Sequence, residues 1–255
     1  MSASAAARRP YESVGFWAFI VLMLALTGLF VGLGVWQVQR LAWKEALIAE
    51  VDSRMTAAPY VLPPPDHWEF VHLDELGYRP VTVTGSYVPD KTVLVFTSLS
   101  DAKGKYSGPG YWVMVPLDAG GGFAFINRGF VPQASAPAFA NGGPLPQGPQ
   151  TVTGIGIAPE EAGAFTPGPD KAKRVEWVRD PKRLATLADI SGIVLGLTID
   201  APATAPGALP QGGETTVDFP NNHLGYAFTW FGFAILTPCL LAFWVWRQFR
   251  PKAAA

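Results

Sequence analysis

Two long apolar runs interrupt an otherwise mixed chain. Residues 15–39, GFWAFIVLMLALTGLFVGLGVWQVQ, carry no charged side chain, and neither do residues 224–246, LGYAFTWFGFAILTPCLLAFWVW. At about 1.5 Å of rise per residue, each run outspans a hydrocarbon layer of about 30 Å, so both are expected as transmembrane helices. The first is longer than a signal-peptide core of about 7–15 residues, and no small-x-small cleavage site ends it. Trp17, Trp36, Trp244 and Trp246 lie near the ends of the runs, where an aromatic belt belongs.

Between the runs the periodicity changes. Residues 41–55, LAWKEALIAEVDSRM, continue a helical pattern outward from the first run, with an apolar stripe that fades. The segment 58–65, APYVLPPP, stops it, because consecutive prolines hold the chain extended. Alternating apolar and polar residues then predict strands at 79–87, 91–99, 110–117, 122–131, 150–157, 174–178 and 192–200. Asp118-Ala-Gly-Gly is a hairpin loop between the third and fourth of these. Asp180 is a candidate N-cap and Pro181 the first residue of a short helix to about Ile190. Residues 137–149 and 202–213, rich in Pro and Gly, read as flexible loops.

The expected fold class is therefore a membrane protein of α+β type. Two transmembrane helices flank an external, mainly antiparallel β domain, a small barrel or a sandwich. The expected boundaries are a tail at 1–14, helix at 15–39, β-rich domain at 40–223, helix at 224–246 and tail at 247–255.

Charge places these parts. Charged residues make up 15% of the 255, against about 25% in soluble domains. A net charge of −1 gives no field that would attract nucleic acid. Arg8, Arg9, Arg247, Arg250 and Lys252 lie in the tails, so the positive-inside rule puts both termini in the cytoplasm. Arg40 and Lys44 argue mildly against this, but long loops translocate largely regardless of charge. Cys239 is the single cysteine, so no intrachain disulfide, CxxC motif or CxxCH haem-attachment motif exists. GxSxG, HExxH, P-loop and GxGxxG-helix signatures are absent as well, and the chain is not expected to be an enzyme.

The remaining chemistry centres on PNNHLGYAFTW at 220–230. On a helix, His223, Tyr226, Ala227, Trp230 and Ala234 share a face. An imidazole at the membrane surface with aromatic rings leading inward suits a haem, and it also suits a simple interfacial anchor. Pro220 and the asparagines would begin this helix, with Asn221 or Asn222 as cap. Opposite, Trp36, Arg40 and Trp43 form a face at the same membrane surface, flanked by Gln37 and Lys44. Arg40 fits a haem propionate and equally a lipid phosphate. Gly28 and Gly32 on the first helix and Gly232 on the second are small-residue faces for close helix approach. In INRGFVP, 126–132, Gly129 marks a candidate bulge, and Arg128 reads as a structural charge in preference to a partner site. His67 and His72 lack the companions of a metal site and read as a surface pair.

Five stretches in order carry a family resemblance: LGVWQVQRLAWK, YRPVTVTGSY, GPGYWVMVPL, INRGFVP and PNNHLGYAFTWFGFA. Together they span nearly the whole chain, and they resemble the surfeit locus protein 1 family of cytochrome c oxidase assembly factors. Phe130 departs from the family, which often has Trp there. The resemblance implies a non-enzymatic role in the bacterial inner membrane, with the domain in the periplasm. It implies haem a as transient cargo, His223 as axial ligand of the haem iron, and Tyr226 and Trp230 in the same motif. Arg40 and Trp36 are the expected contacts from the first helix. The implied partners are oxidase subunit I and haem a synthase. A haem-independent scaffold that stabilises an oxidase intermediate is the rival reading. A twice-anchored sensor ranks last, for want of an output module in tails of about 14 and 9 residues.

Overall fold

A computed structural model describes residues 10–215 and 221–250. Arg8, Arg9, Lys252 and Pro220, on which parts of the reading above rest, lie outside the described residues. The chain separates into two compact units, one of residues 1–49 with 218–255 and one of residues 50–217.

The first unit is built on two long helices, α4 (His223–Phe249) and α1 (Val14–Met55), of which residues 50–55 belong to the second unit. Both are long and apolar enough to cross a membrane. As expected, α1 runs unbroken through the amphipathic stretch after the first apolar run. The helices are antiparallel, as their aromatic contacts show. Phe16 and Phe19 pack on Trp244, while Phe30, further along α1, stacks on Trp230 at 5.8 Å and meets Phe233 at 5.5 Å.

The small-residue faces fall elsewhere than expected. Ideal Cβ atoms at Gly28, Gly32 and Gly232 would meet nothing within 4 Å, whereas one at Gly34 would lie 2.6 Å from the Phe231 ring. Close approach therefore happens where a glycine receives an aromatic ring. Two glycines four apart do not create it without a partner surface to fill them.

The second unit is β-rich. Its strands are β1 (Tyr60–Val61), β2 (Pro80–Tyr87), β3 (Val93–Leu99), β4 (Gly108–Asp118), β5 (Gly122–Pro132), β6 (Gln150–Ile157), β7 (Val175–Glu176) and β8 (Ile193–Asp200). They follow the order β1-β2-β6-β8-β5-β4-β3-β7, and a further β2–β4 pairing closes β2, β6, β8, β5 and β4 into a barrel. The barrel alternative is thus the observed one. Among the described residues, only β1–β2, β3–β7 and β5–β8 pair in parallel. The expected strand at 174–178 shrinks to two residues, and β1, next to the prolines, is too short to show a period.

Alternation explains what fills the barrel. Val81 and Val83 of β2, Ala124 and Ile126 of β5, and Leu195, Leu197 and Ile199 of β8 all join one core cluster with Leu117 and Trp68. Every second residue points inward, and these side chains occupy the interior. Phe125 points the other way and packs with Met114 against Leu184 and Ala185 of α3 (Pro181–Leu187). As expected, Asp180 caps α3 by accepting from the Lys182 amide at 2.9 Å. In the β4–β5 hairpin, Asp118 Oδ1 accepts from the Gly120 amide at 2.9 Å.

INRGFVP forms a β-bulge. Trp112 and Met114 of β4 face Phe130 and Asn127, so Arg128 and Gly129 together oppose a single residue. Gly129 has φ 128°, and a Cβ there would lie 2.3 Å from the Gln211 backbone. Buried Asn127 locks the bulge: its Oδ1 accepts from the Gly129 amide at 3.0 Å and its Nδ2 donates to Asp200 Oδ1 at 3.0 Å. Phe130 is fully buried and packs edge-on against Trp112.

The segment 202–213, read as a loose loop, is anchored at its end. Gln211 pairs with Phe130 through both backbone groups at 2.8 Å. Its buried side chain accepts from the Tyr106 amide at 2.8 Å and donates to the Tyr106 carbonyl at 2.9 Å. Buried Glu214 accepts from the Lys103 and Gly104 amides, each at 2.7 Å. Composition signals a loop but is silent on partners about a hundred residues away.

Candidate functional site

His223 is the first residue of α4. Asn222 holds the N-cap position, but its side chain makes no capping hydrogen bond, and the Asn221 Oδ1 is buried without a partner among the described residues. The expected asparagine cap is therefore not formed. The backbone conformation of Asn222, φ −96° and ψ 8°, is not the extended one that aims a cap oxygen at the first free amides.

The imidazole is held by α1. His223 Nδ1 lies 2.7 Å from Gln37 Oε1. With Gln37 presenting Oε1 to the ring, the matching tautomer is the one in which Nδ1 carries the proton and donates. Neutral imidazole then has its lone pair on Nε2. Nε2 has no hydrogen bond among the described residues, nor is it among their buried unpartnered atoms, so it is open to an incoming group. Gln37 itself is buried, 7% exposed, inside the helix pair.

The other expected residues divide into packed and open ones. On α4, Ala227 and Ala234 are buried, and Trp230 is half-buried against Phe30. Tyr226 is 58% exposed and stands apart from this stripe. Its position three residues past His223 is about 60° off the His223 direction, the far flank of the face. On α1, Trp36 is 50% exposed, and Arg40 lies over the Trp43 ring at 4.5 Å. Arg40 is one turn along α1 from Gln37.

Sequence reasoning named His223, Tyr226, Trp230, Arg40 and Trp36 and treated Gln37 only as a flanking residue. The signal for it was present: an amide within an uncharged apolar run must find a hydrogen-bonding partner. Its partner, however, lies 186 residues away.

Candidates in the β domain resolve as structure. Arg128 is half-buried and donates to the Gly142 carbonyl at 2.7 Å. Burial lowers its pKa and raises that of Tyr87, and the guanidinium charge pulls Tyr87 partly back. Exposed His67 pairs with Asp66 at 3.0 Å, and His72 occupies the N-cap position of α2 (Leu73–Leu76). Among the described residues no three His, Cys, Asp or Glu side chains gather as a metal site.

Comparison with known proteins agrees with the motif order. Residues 24–235 match the SURF1 family. A SURF1-like protein of Monosiga brevicollis is 30% identical over 246 residues, covering 91% of this chain and 87% of that protein. Surfeit locus protein 1 of Homo sapiens is 31% identical, covering 94% and 81% respectively, and that of Mus musculus is 32% identical, covering 90% and 76%. With two membrane-capable helices flanking a β-barrel domain, and a family match across most of its length, the chain belongs to the SURF1 family of cytochrome oxidase assembly factors.

Proposed function

We propose that this chain assists assembly of a haem-copper terminal oxidase by holding haem a at His223 and passing it to oxidase subunit I. The open Nε2 of His223, with Nδ1 tied to Gln37, is the observation that carries the reading. It is the arrangement expected of an imidazole that ligates iron through one nitrogen. Bound there, haem would supply an iron for the His223 imidazole to ligate and carboxylates that would accept from the Arg40 guanidinium.

The surrounding residues fit such a cargo. Arg40, one helical turn beyond Gln37, is the candidate partner of a propionate. Trp36 and Tyr226 offer exposed aromatic surface, and Trp230 closes the inner side against Phe30. A single imidazole anchor suits a carrier that must release what it holds. In this reading the chain lies in a bacterial inner membrane with both termini cytoplasmic, as the basic residues of the tails suggest. The β domain is then periplasmic, and haem a synthase is the donor.

The rival is a haem-independent scaffold contacting an oxidase intermediate through the β domain. Phe165, 99% exposed in that domain, favours it as a contact residue.

The test is the absorption spectrum of the protein purified from cells that make haem a, beside His223→Ala. Haem in the wild type and none in a folded, membrane-inserted variant supports the carrier. Identical spectra remove His223 as ligand, and absence of haem from both moves the scaffold ahead. Arg40→Ala should weaken haem retention, and unchanged retention would discard the propionate role.

A further inference from the structure

We infer that Gln37 is the positioning residue for His223: it fixes the Nδ1–H tautomer, so that the bare Nε2 faces the incoming iron. The inference rests on the haem reading for its purpose, but not for its geometry.

Three observations carry it. The hydrogen bond is short, 2.7 Å, and the Gln37 amide presents its acceptor oxygen, Oε1, to Nδ1. Gln37 is only 7% exposed on a helix whose apolar run has no charge, so a lost partner would leave a buried amide oxygen unpaired. The bond also joins two helices distant in sequence, so it orients the ring as well as protonating it. In water the neutral imidazole of histidine favours the opposite tautomer, with hydrogen on Nε2. A lone His223 at a helix start would thus present an N–H to iron for most of the time. An acceptor placed at Nδ1 reverses the preference before any ligand arrives.

The same contact tunes the bound state. An acceptor at Nδ1 makes imidazole a stronger donor to iron, and a carboxylate does so more than an amide. Removing such an outer partner typically weakens metal binding by about 10–100-fold.

The test uses the full chain in a detergent micelle or nanodisc, with 15N-labelled histidine and no haem. His223 resonances are identified by their loss in His223→Ala. The wild type should show protonated Nδ1 and bare Nε2, Gln37→Leu should shift to protonated Nε2, and Gln37→Glu, which keeps an acceptor, should retain the wild-type pattern. A wild type with protonated Nε2, or a Gln37→Leu variant with an unchanged tautomer, overturns the inference without touching the question of haem.

Haemin titration then reads the purpose. Gln37→Leu should bind about 10–100-fold more weakly, with Gln37→Glu near wild type. The haem potential should fall in the order Gln37→Leu, wild type, Gln37→Glu, an order that a merely structural loss would not produce. If His223→Ala loses haem while Gln37→Leu binds as the wild type does, the positioning role is refuted and the ligand survives. If His223→Ala binds as tightly as the wild type, the haem reading itself fails, and the role of Gln37 toward iron fails with it.

Discussion

Gly34→Ala should loosen the helix pair from within. A Cβ at this position lies 2.6 Å from Phe231 Cε1 and 2.8 Å from Cδ1 and Cζ. Restoring an ordinary carbon contact of about 3.6 Å requires the ring to retreat by about 1 Å. Rotamers of a helical phenylalanine are few, so α4 moves with its ring. Overpacking of this kind costs about 1–3 kcal/mol. Gln37 is one turn away along α1, and a shift of about 1 Å there carries its 2.7 Å bond to His223 beyond hydrogen-bond range. With the buried Gln37 amide left unpaired, that adds about 1–3 kcal/mol. The loss can be followed by circular dichroism as the detergent-solubilised protein is unfolded. Phe231→Ala removes the obstructing ring, so Gly34→Ala in that background should be close to neutral. The expected coupling between the two sites is therefore at least about 1 kcal/mol. Equal losses in both backgrounds, or no loss in the wild type, would refute the close-packing argument.

Other perturbations test the β domain. Glu176 is 1% exposed and takes Arg183 Nη2 at 2.9 Å and Nε at 3.2 Å. Arg183→Ala leaves that buried carboxylate only the Trp177 amide, 2.8 Å from Oε1, and should cost about 2–4 kcal/mol in chemical unfolding, less than a fully enclosed pair because Arg183 is partly exposed. Asn127→Ala leaves the Gly129 amide buried and removes one donor from Asp200, for a loss of about 2–4 kcal/mol. Asn127→Asp should not rescue it in the same assay, since it sets a second carboxylate beside Asp200. Burial raises the Tyr87 pKa, so its contribution to stability is complete below its ordinary value of about 10 and is lost as pH rises toward the folded value. Ultraviolet titration of Tyr87→Phe should lack the late-ionising phenol, and the variant should resist alkali better than the wild type.

The elements that sequence made legible share a property: their signal is local. Strand alternation in β2, β6 and β8, the Asp180 cap and the bulge at Gly129 all depend on residues a few positions apart. The packed histidine is different. His223 could be picked out as the polar opening of an apolar helix, yet its acceptor Gln37 comes from the other helix, and no periodicity links them. Gly34 was overlooked for a similar reason. Its neighbours Gly28 and Gly32 match a spacing rule, while its own importance lies in Phe231 across the gap. The β1 and β7 strands, two residues each, are too brief to carry a period. The anchoring of Gln211 and Glu214 depends on amides around residues 103–106 and could not be read from a Pro- and Gly-rich stretch.

The filled interior of the barrel has a thermodynamic consequence. A ligand stabilises the unit that folds around it, in proportion to how far its concentration exceeds its dissociation constant. Among the described residues, Val81, Ile126, Leu195, Leu197 and their neighbours pack as one core cluster, so the barrel interior is occupied by the chain's own side chains. If the proposed carrier role holds, cargo at His223 would raise the unfolding transition of the helix pair and leave that of the barrel in place. On the carrier reading, loading and unloading would be changes in the helix pair, against a domain whose own stability stays constant.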